Sequence, residues 1–253
     1  MSTNLLIGYP DIPSKATVFT EPATAPGYSS KAIVSGPRGT TWKGASAVTS
    51  ITWEWDLGAG NERAPDYIYY ARLDLIGRRN ATTTTSLIYG SASSSFTSPN
   101  SKVVTYGNGS LQGPDGRDRI SIPTAYSSTY RYWRCRINCT SQVPEISKIY
   151  FGTALDFGRD PRRCEKTRRR WSPQNRNPGY RYIIEWLGVS NANVQTFNED
   201  IARYPENSII LFTRTYHDVL DDHQVIPFMI EDYQITADNV DSNTVRLVLD
   251  EVI

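Results

Sequence analysis

Apolar and polar residues alternate with a period of two along most of this chain, and the pattern is densest over residues 51–75. Ile51, Trp53 and Trp55 alternate with Thr52, Glu54 and Asp56, which predicts a strand with one buried face. Gly58, Gly60 and Asn61 follow, residue types that reach the left-handed backbone region a tight turn needs. After Pro65, Tyr67-Ile68-Tyr69-Tyr70-Ala71-Arg72-Leu73 is rich in aromatic and branched residues that suit a pleated surface. Further strands are predicted at 85–89, 102–106, 119–122, 130–139 and 146–151, separated by Ser, Thr, Gly, Asn and Pro. With no amphipathic helix between them, such short strands point to a mainly β chain, an antiparallel β-sandwich or jelly roll.

The pattern changes after residue 177. Tyr180, Tyr182, Ile184 and Trp186 alternate as a strand. Val194, Phe197, Ile201 and Tyr204 then share one face of a helix predicted at 192–204, capped by Ser190 or Asn191 and stopped by Pro205. Strands at 208–213, 225–231 and 244–252 complete a smaller β-rich domain, the last two joined by a loop at 238–243. Residues 1–40, rich in Pro, Ser, Thr and Gly, read as an extended N-terminal arm. The organisation expected is therefore an arm at 1–40, a sandwich at 41–157, an Arg-rich linker at 158–177 and the small domain at 178–253.

A length of 253 residues is enough to bury a core in one large domain or two smaller ones. No apolar run of about 18 residues occurs, so no helix crosses a membrane. The N-terminal residues lack the basic start and long apolar stretch of a signal peptide, so synthesis in a cytoplasm is expected. That fits three cysteines, Cys135, Cys139 and Cys164, whose spacing suggests neither zinc nor a mutual disulfide. Net charge is +1, but it is unevenly spread: residues 171–253 carry 13 acidic and 5 basic side chains. Arg159, Arg162, Arg163, Lys166, Arg168, Arg169 and Arg170 fall within twelve residues. Guanidinium groups accept partial desolvation and forked pairing, which makes this cluster a candidate subunit interface. A solvated loop is the plainer alternative. Nucleic acid is disfavoured, because the cluster lacks aromatic interleaving and contains Asp160 and Glu165.

Thr41-Trp42, followed by Ser50-Ile51-Thr52-Trp53-Glu54-Trp55-Asp56-Leu57-Gly58, resembles the signature of discoidin-like (galactose-binding-like) β-sandwiches, a Trp and then a strand ending in Asp-Leu-Gly. The strand at 66–75 and the pair at 130–137 and 144–152 are similar to later strands of that family. Asp66-Tyr67-Ile68 ahead of Ala71-Arg72-Leu73-Asp74-Leu75 looks most like minor structural proteins of tailed bacteriophages. Over 178–253, Tyr180 to Ser190 ahead of a helix resembles the small C-terminal region of phage tail and baseplate proteins. The resemblance implies a non-enzymatic virion component of a tail, baseplate or head–tail junction, made in the host cytoplasm. Its partners are then other virion proteins and further copies of itself. The basic segment of one copy is expected to meet the acidic C-terminal domain of its neighbour. The alternative is a carbohydrate- or receptor-binding module of the tail, with a surface glycan as partner, since discoidin-like sandwiches bind glycans through loops at one end.

Catalytic chemistry is poorly supported. Only His217 and His223 could serve as imidazole bases, and neither a G-x-S-x-G nor a phosphate-binding Gly-Lys loop occurs. His217, Asp218, Asp221, Asp222 and His223 could ligate a divalent metal, although a solvated loop is the simpler reading. Asp238 to Asn243 lacks the Gly and closing Glu of a calcium loop. No cofactor is expected. The tryptophans could stack on sugars, but most occupy alternating strand positions and are expected to pack inside.

Overall fold

The computed structural model describes residues 5–28, 33, 41–71, 85–97, 99–105, 110–112, 119–121, 128–146, 148–168, 179–203, 209–213 and 227–251. The chain forms two compact units, Pro10–Thr153 and a second built from Met1–Tyr9 together with Ala154–Ile253. It starts with β1 (Leu5–Gly8) of the second unit. The first unit then runs through α1 (Asp11–Lys15), β2 (Val18–Thr20), β3 (Trp42–Lys43), β4 (Val48–Asp56), β5 (Tyr67–Ala71), β6 (Thr85–Ser91) and β7 (Asn100–Thr105). It continues with β8 (Ser110–Gln112), β9 (Arg119–Ser121), β10 (Tyr132–Gln142), β11 (Glu145–Ile146) and β12 (Lys148–Gly152).

The first unit is an antiparallel β-sandwich. One sheet has the order β2-β4-β10-β6-β7, and facing strands come from the sheets β12-β5-β9-β8 and β11-β3. Trp53 lies opposite Cys135, and Trp55 opposite Trp133, so one face of β4 and β10 is continuous and apolar. Ile51, Trp53, Trp55, Trp133, Cys135, Ile137 and Ile88 meet Trp42, Ile146, Ile149 and Phe151 in a single core. Edge-on ring contacts fill it: Trp42 on Trp53 at 5.1 Å, and Trp55 on Phe151 at 4.9 Å. The tryptophans at 42, 53, 55 and 133 are all buried, as the alternation predicts, so none of them offers a ring to a sugar. Trp171 lies outside the described residues.

The second unit contains β13 (Ala154–Asp156), β14 (Arg163–Arg168), β15 (Tyr180–Val189), α2 (Asn191–Thr196) running into a π-helical stretch (Phe197–Ala202), β16 (Ile209–Thr213), β17 (Pro227–Asn239) and β18 (Ser242–Glu251). Among the described residues, seven strands form one sheet, β13-β1-β16-β17-β18-β15-β14. Tyr182, Ile184, Trp186, Val245, Leu247 and Leu249 line the face on which Phe197 and Ile201 pack. Ser190 caps α2 by accepting a bond from the Asn193 amide, and Phe197 and Ile201 are the buried residues of the helical segment.

Three expectations change here. Residues 1–40 do not form an extended arm where they are described. Leu5–Gly8 is an interior strand between β13 and β16, with Leu5, Leu6 and Ile7 buried, while α1 and β2 belong to the sandwich. Register Gly8↔Ala154 means the chain leaves and re-enters the second unit on paired strands, so the sandwich is an insertion in it. The segment expected as a linker contains β14, paired with β15 from Arg163↔Glu185 to Arg168↔Tyr180, and Cys164 lies in that strand rather than in a loop. Its apolar alternation is missing because it is an edge strand with mostly exposed side chains. Finally, the loop expected at 238–243 shrinks to Val240 and Asp241, because β17 follows β18 to the register Asn239↔Ser242.

Candidate functional site

Antiparallel register gathers the ends of four strands at one end of the sandwich. Tyr132, at the start of β10, sits between Asp56, at the end of β4, and Ser91, at the end of β6. Val18 of β2 pairs with Asp56 from the other side. The loops after Asp56 and Ser91 and the segment before Tyr132 therefore emerge together. Backbone bonds lock them: Leu57 N–H to the Arg131 carbonyl at 3.1 Å, and a reciprocal pair between Arg63 and Tyr130 at 3.2 and 3.0 Å. Gly58 and Gly60 supply φ values of +80° and +83°, which this tight turn requires.

The polar centre of this end is a fork. Arg131 donates Nε to Asp56 Oδ1 at 2.6 Å and an Nη to Oδ2 at 2.8 Å. The Gly58 amide donates to Oδ1 at 2.8 Å. Hydrogen bonding from Arg131 holds the Asp56 carboxyl below its ordinary range, overcoming the opposing effect of partial burial, and the carboxylate raises Arg131 in turn. Arg131 also stands over the half-buried Tyr132 ring at 4.8 Å. Tyr130 lies on Gly90, where any Cβ would collide with its ring, and edge-on against Trp133 at 5.8 Å. Across the loop, Ser93 Oγ, Ser95 Oγ and Thr97 Oγ1 form a chain of exposed hydroxyls at 2.9 and 2.7 Å. Between them Phe96 adopts φ +51°, a strained value for a bulky side chain, and is buried with the Arg134 guanidinium 3.9 Å over its ring. Arg134 in turn binds Glu54 at 2.7 Å. Sequence reasoning missed this end as a set. The single available signal was the Asp-Leu-Gly turn, because Arg131 lies 75 residues from Asp56.

The basic cluster is placed differently. Arg163, Lys166 and Arg168 lie on β14, with Arg162 just ahead of it. The Arg162 amide donates to the Glu185 carbonyl at 2.8 Å. Arg163 pairs with Glu165 at 2.7 Å on the exposed edge. Lys166 lies 4.4 Å over the Tyr180 ring. Arg159 covers Gly188, whose φ of +71° and missing Cβ leave room for the guanidinium. Arg169 and Arg170 lie outside the described residues. Counted with the unit they fold into, these cations offset much of the acidity downstream: Met1–Tyr9 with Ala154–Ile253 carries 12 basic and 16 acidic side chains. His217, Asp218, Asp221, Asp222 and His223 lie outside the described residues. Among the described residues no group of three or more His, Cys, Asp and Glu could hold a metal ion.

No family model matches this chain, and no curated protein matches it. Among solved structures it is similar to chitosan-binding module 1 of a chitosanase/glucanase from Paenibacillus sp. IK-5, at 16% identity and TM-score 0.38 over 54% of this chain and 94% of that one. It is also similar to CBM62 from Clostridium thermocellum Xyl5A, at 18% identity and TM-score 0.36, covering 54% and 94%. A fucose binding module of Streptococcus pneumoniae is similar at 12% identity and TM-score 0.36, covering 53% and 89%. With identity and TM-score this low, any functional reading rests on this chain's own residues.

Proposed function

We propose that this chain is a non-catalytic recognition component that binds a glycan through the Asp56–Arg131 end of its sandwich. The observation that supports this most is the forked pair itself, set beside the Tyr132 ring at the strand ends from which the loop of Ser93, Ser95 and Thr97 also leaves. A carboxylate has about four acceptor positions, and the three bonds from Arg131 and Gly58 leave capacity for a ligand hydroxyl. Arg131 keeps further N–H donors for a second hydroxyl. Adjacent donors and acceptors of this kind match the vicinal hydroxyls of a sugar, while Tyr132 supplies amphipathic surface for its C–H face. Exposed Asn61 and Glu62 extend the polar rim.

Glycan-array binding by the full chain tests this, compared with Asp56→Asn and Tyr132→Ala. Binding that both substitutions abolish, in chains with unchanged far-ultraviolet dichroism, is the expected result. Absence of binding to any arrayed glycan, or binding indifferent to both changes, refutes it.

For the setting, we propose the tail, baseplate or head–tail junction of a tailed phage, with other virion proteins as partners. This reading rests on the motif resemblance of Asp66–Leu75 and of Tyr180–Ser190 alone. Mass spectrometry of purified virions that contains no peptide of this chain removes it.

A further inference from the structure

Besides the outer edge of β13, two flanks of the seven-stranded sheet are unpaired among the described residues, and these two carry opposite charge. The first is the outer edge of β14, which ends the sheet and pairs only with β15. It bears Arg163, Lys166 and Arg168, with Arg162 just before it. Its one acid, Glu165, is held by Arg163. The second is the side of β17 that faces away from β18. There β16 pairs only with Pro227 and Phe228, whereas β17 runs on to Asn239. Glu231, Asp232, Tyr233 and Gln234 are exposed, as are Thr236 to Asn239. Over residues 231–239 the strand has three acids, Glu231, Asp232 and Asp238, and no cation. An unpaired flank presents backbone N–H and C=O groups at alternate residues, which is a template for another strand.

Strand direction makes the two flanks compatible. β14 is antiparallel to β15, β15 to β18, and β18 to β17, so β14 runs antiparallel to β17. Two copies in the same orientation can therefore bring β14 of one beside β17 of the next as an antiparallel pair. Like-with-like pairing is opposed by charge. Two β14 strands meeting about their midpoint set Arg163 against Arg168 at both ends, with Glu165, already bound by Arg163, opposite Lys166 at the centre, and two β17 flanks set acid against acid. The charges on such strands guard against indiscriminate edge pairing while leaving one complementary match.

We propose that copies of this chain associate head to tail, the basic β14 edge of one copy adding to the acidic 231–239 flank of the next. The contact is heterologous, so a suitable rotation per copy closes a ring. Charge sets register and partner choice, and backbone pairing supplies the ladder.

Sedimentation velocity of the full chain tests the proposal, using wild type, Arg163→Glu/Arg168→Glu and Glu231→Arg/Asp232→Arg. Wild type is expected to self-associate, with apparent affinity falling at least about tenfold between about 0.05 M and 0.5 M salt. Each variant alone is expected to remain monomeric, because its two flanks then carry the same sign. A mixture of the two variants associates again. A wild type that stays monomeric at about 100 µM and low salt overturns the proposal, as does a variant that associates like wild type or a mixture that stays monomeric. If either variant misfolds, amide exchange of the wild type decides. Concentration-dependent protection confined to 163–168 and 231–239 supports the contact, and protection elsewhere or none overturns it.

Discussion

Lys148 offers a quantitative check on the sandwich. It lies on β12 with its side chain fully buried, and the core residues Ile146 and Ile149 lie within two positions of it in sequence. Burial pushes its ammonium down from 10.5 to about 8. The unfolded chain therefore binds more protons than the folded one between those two values, and stability must rise with pH across that window. Below about pH 8 both states are protonated and the full penalty is present; it is relieved as pH climbs toward 10.5. One pKa unit corresponds to about 1.4 kcal/mol, so wild type should gain about 2.5 kcal/mol relative to Lys148→Met between about pH 7 and pH 10. The comparison removes every titration common to both chains. Urea unfolding followed by tryptophan fluorescence measures it, because Trp42, Trp53, Trp55 and Trp133 all report on the core of this unit. A stability difference that stays constant to within about 0.5 kcal/mol over that range refutes the reasoning.

Other substitutions probe the remaining links. Gly90→Ala drives a methyl group into the Tyr130 and Trp133 rings, and should cost about 1–3 kcal/mol in the same unfolding assay. Ser190→Ala removes the bond to the Asn193 amide and should cost about 1 kcal/mol, with Ser190→Asp restoring most of it. Asp56 has a depressed carboxyl pKa, so its fork adds stability above the ordinary carboxylate range and loses it as pH falls through the folded value. Asp56→Asn should accordingly flatten the acid limb of the thermal-melting profile. In dilute, unassociated chain, exposed Arg163→Ala should leave the melting temperature nearly unchanged, since the Arg163–Glu165 pair is solvent-screened.

Much of the sandwich is written in local pattern. Alternation over 51–56 and 130–139 specifies which faces of β4 and β10 are apolar, because a strand's side-chain period is two whatever its neighbours are. The burial of Trp53, Trp55 and Trp133 follows from that alone. The cap was legible as Ser190 or Asn191, and Ser190 fills it because its side chain satisfies an amide only three residues away. Leu5–Gly8 was not. Its four residues cannot declare a partner, and the strands that flank it, β13 and β16, lie about 150 and 200 positions downstream.

Long-range partnership also decided both candidate surfaces. The basic cluster reads as a linker because an edge strand exposed on both faces shows no apolar period, and only pairing with β15 makes it part of the sheet. Asp56 and Arg131 look like two ordinary charges in sequence. The antiparallel register of β4 and β10 brings them within 2.6 Å, and so converts a strand-end residue and a loop residue into one polar site. Periodicity depends on each residue's own backbone and can be read from the chain, whereas strand order and register come from the competition among all strands for partners, which only the folded structure resolves.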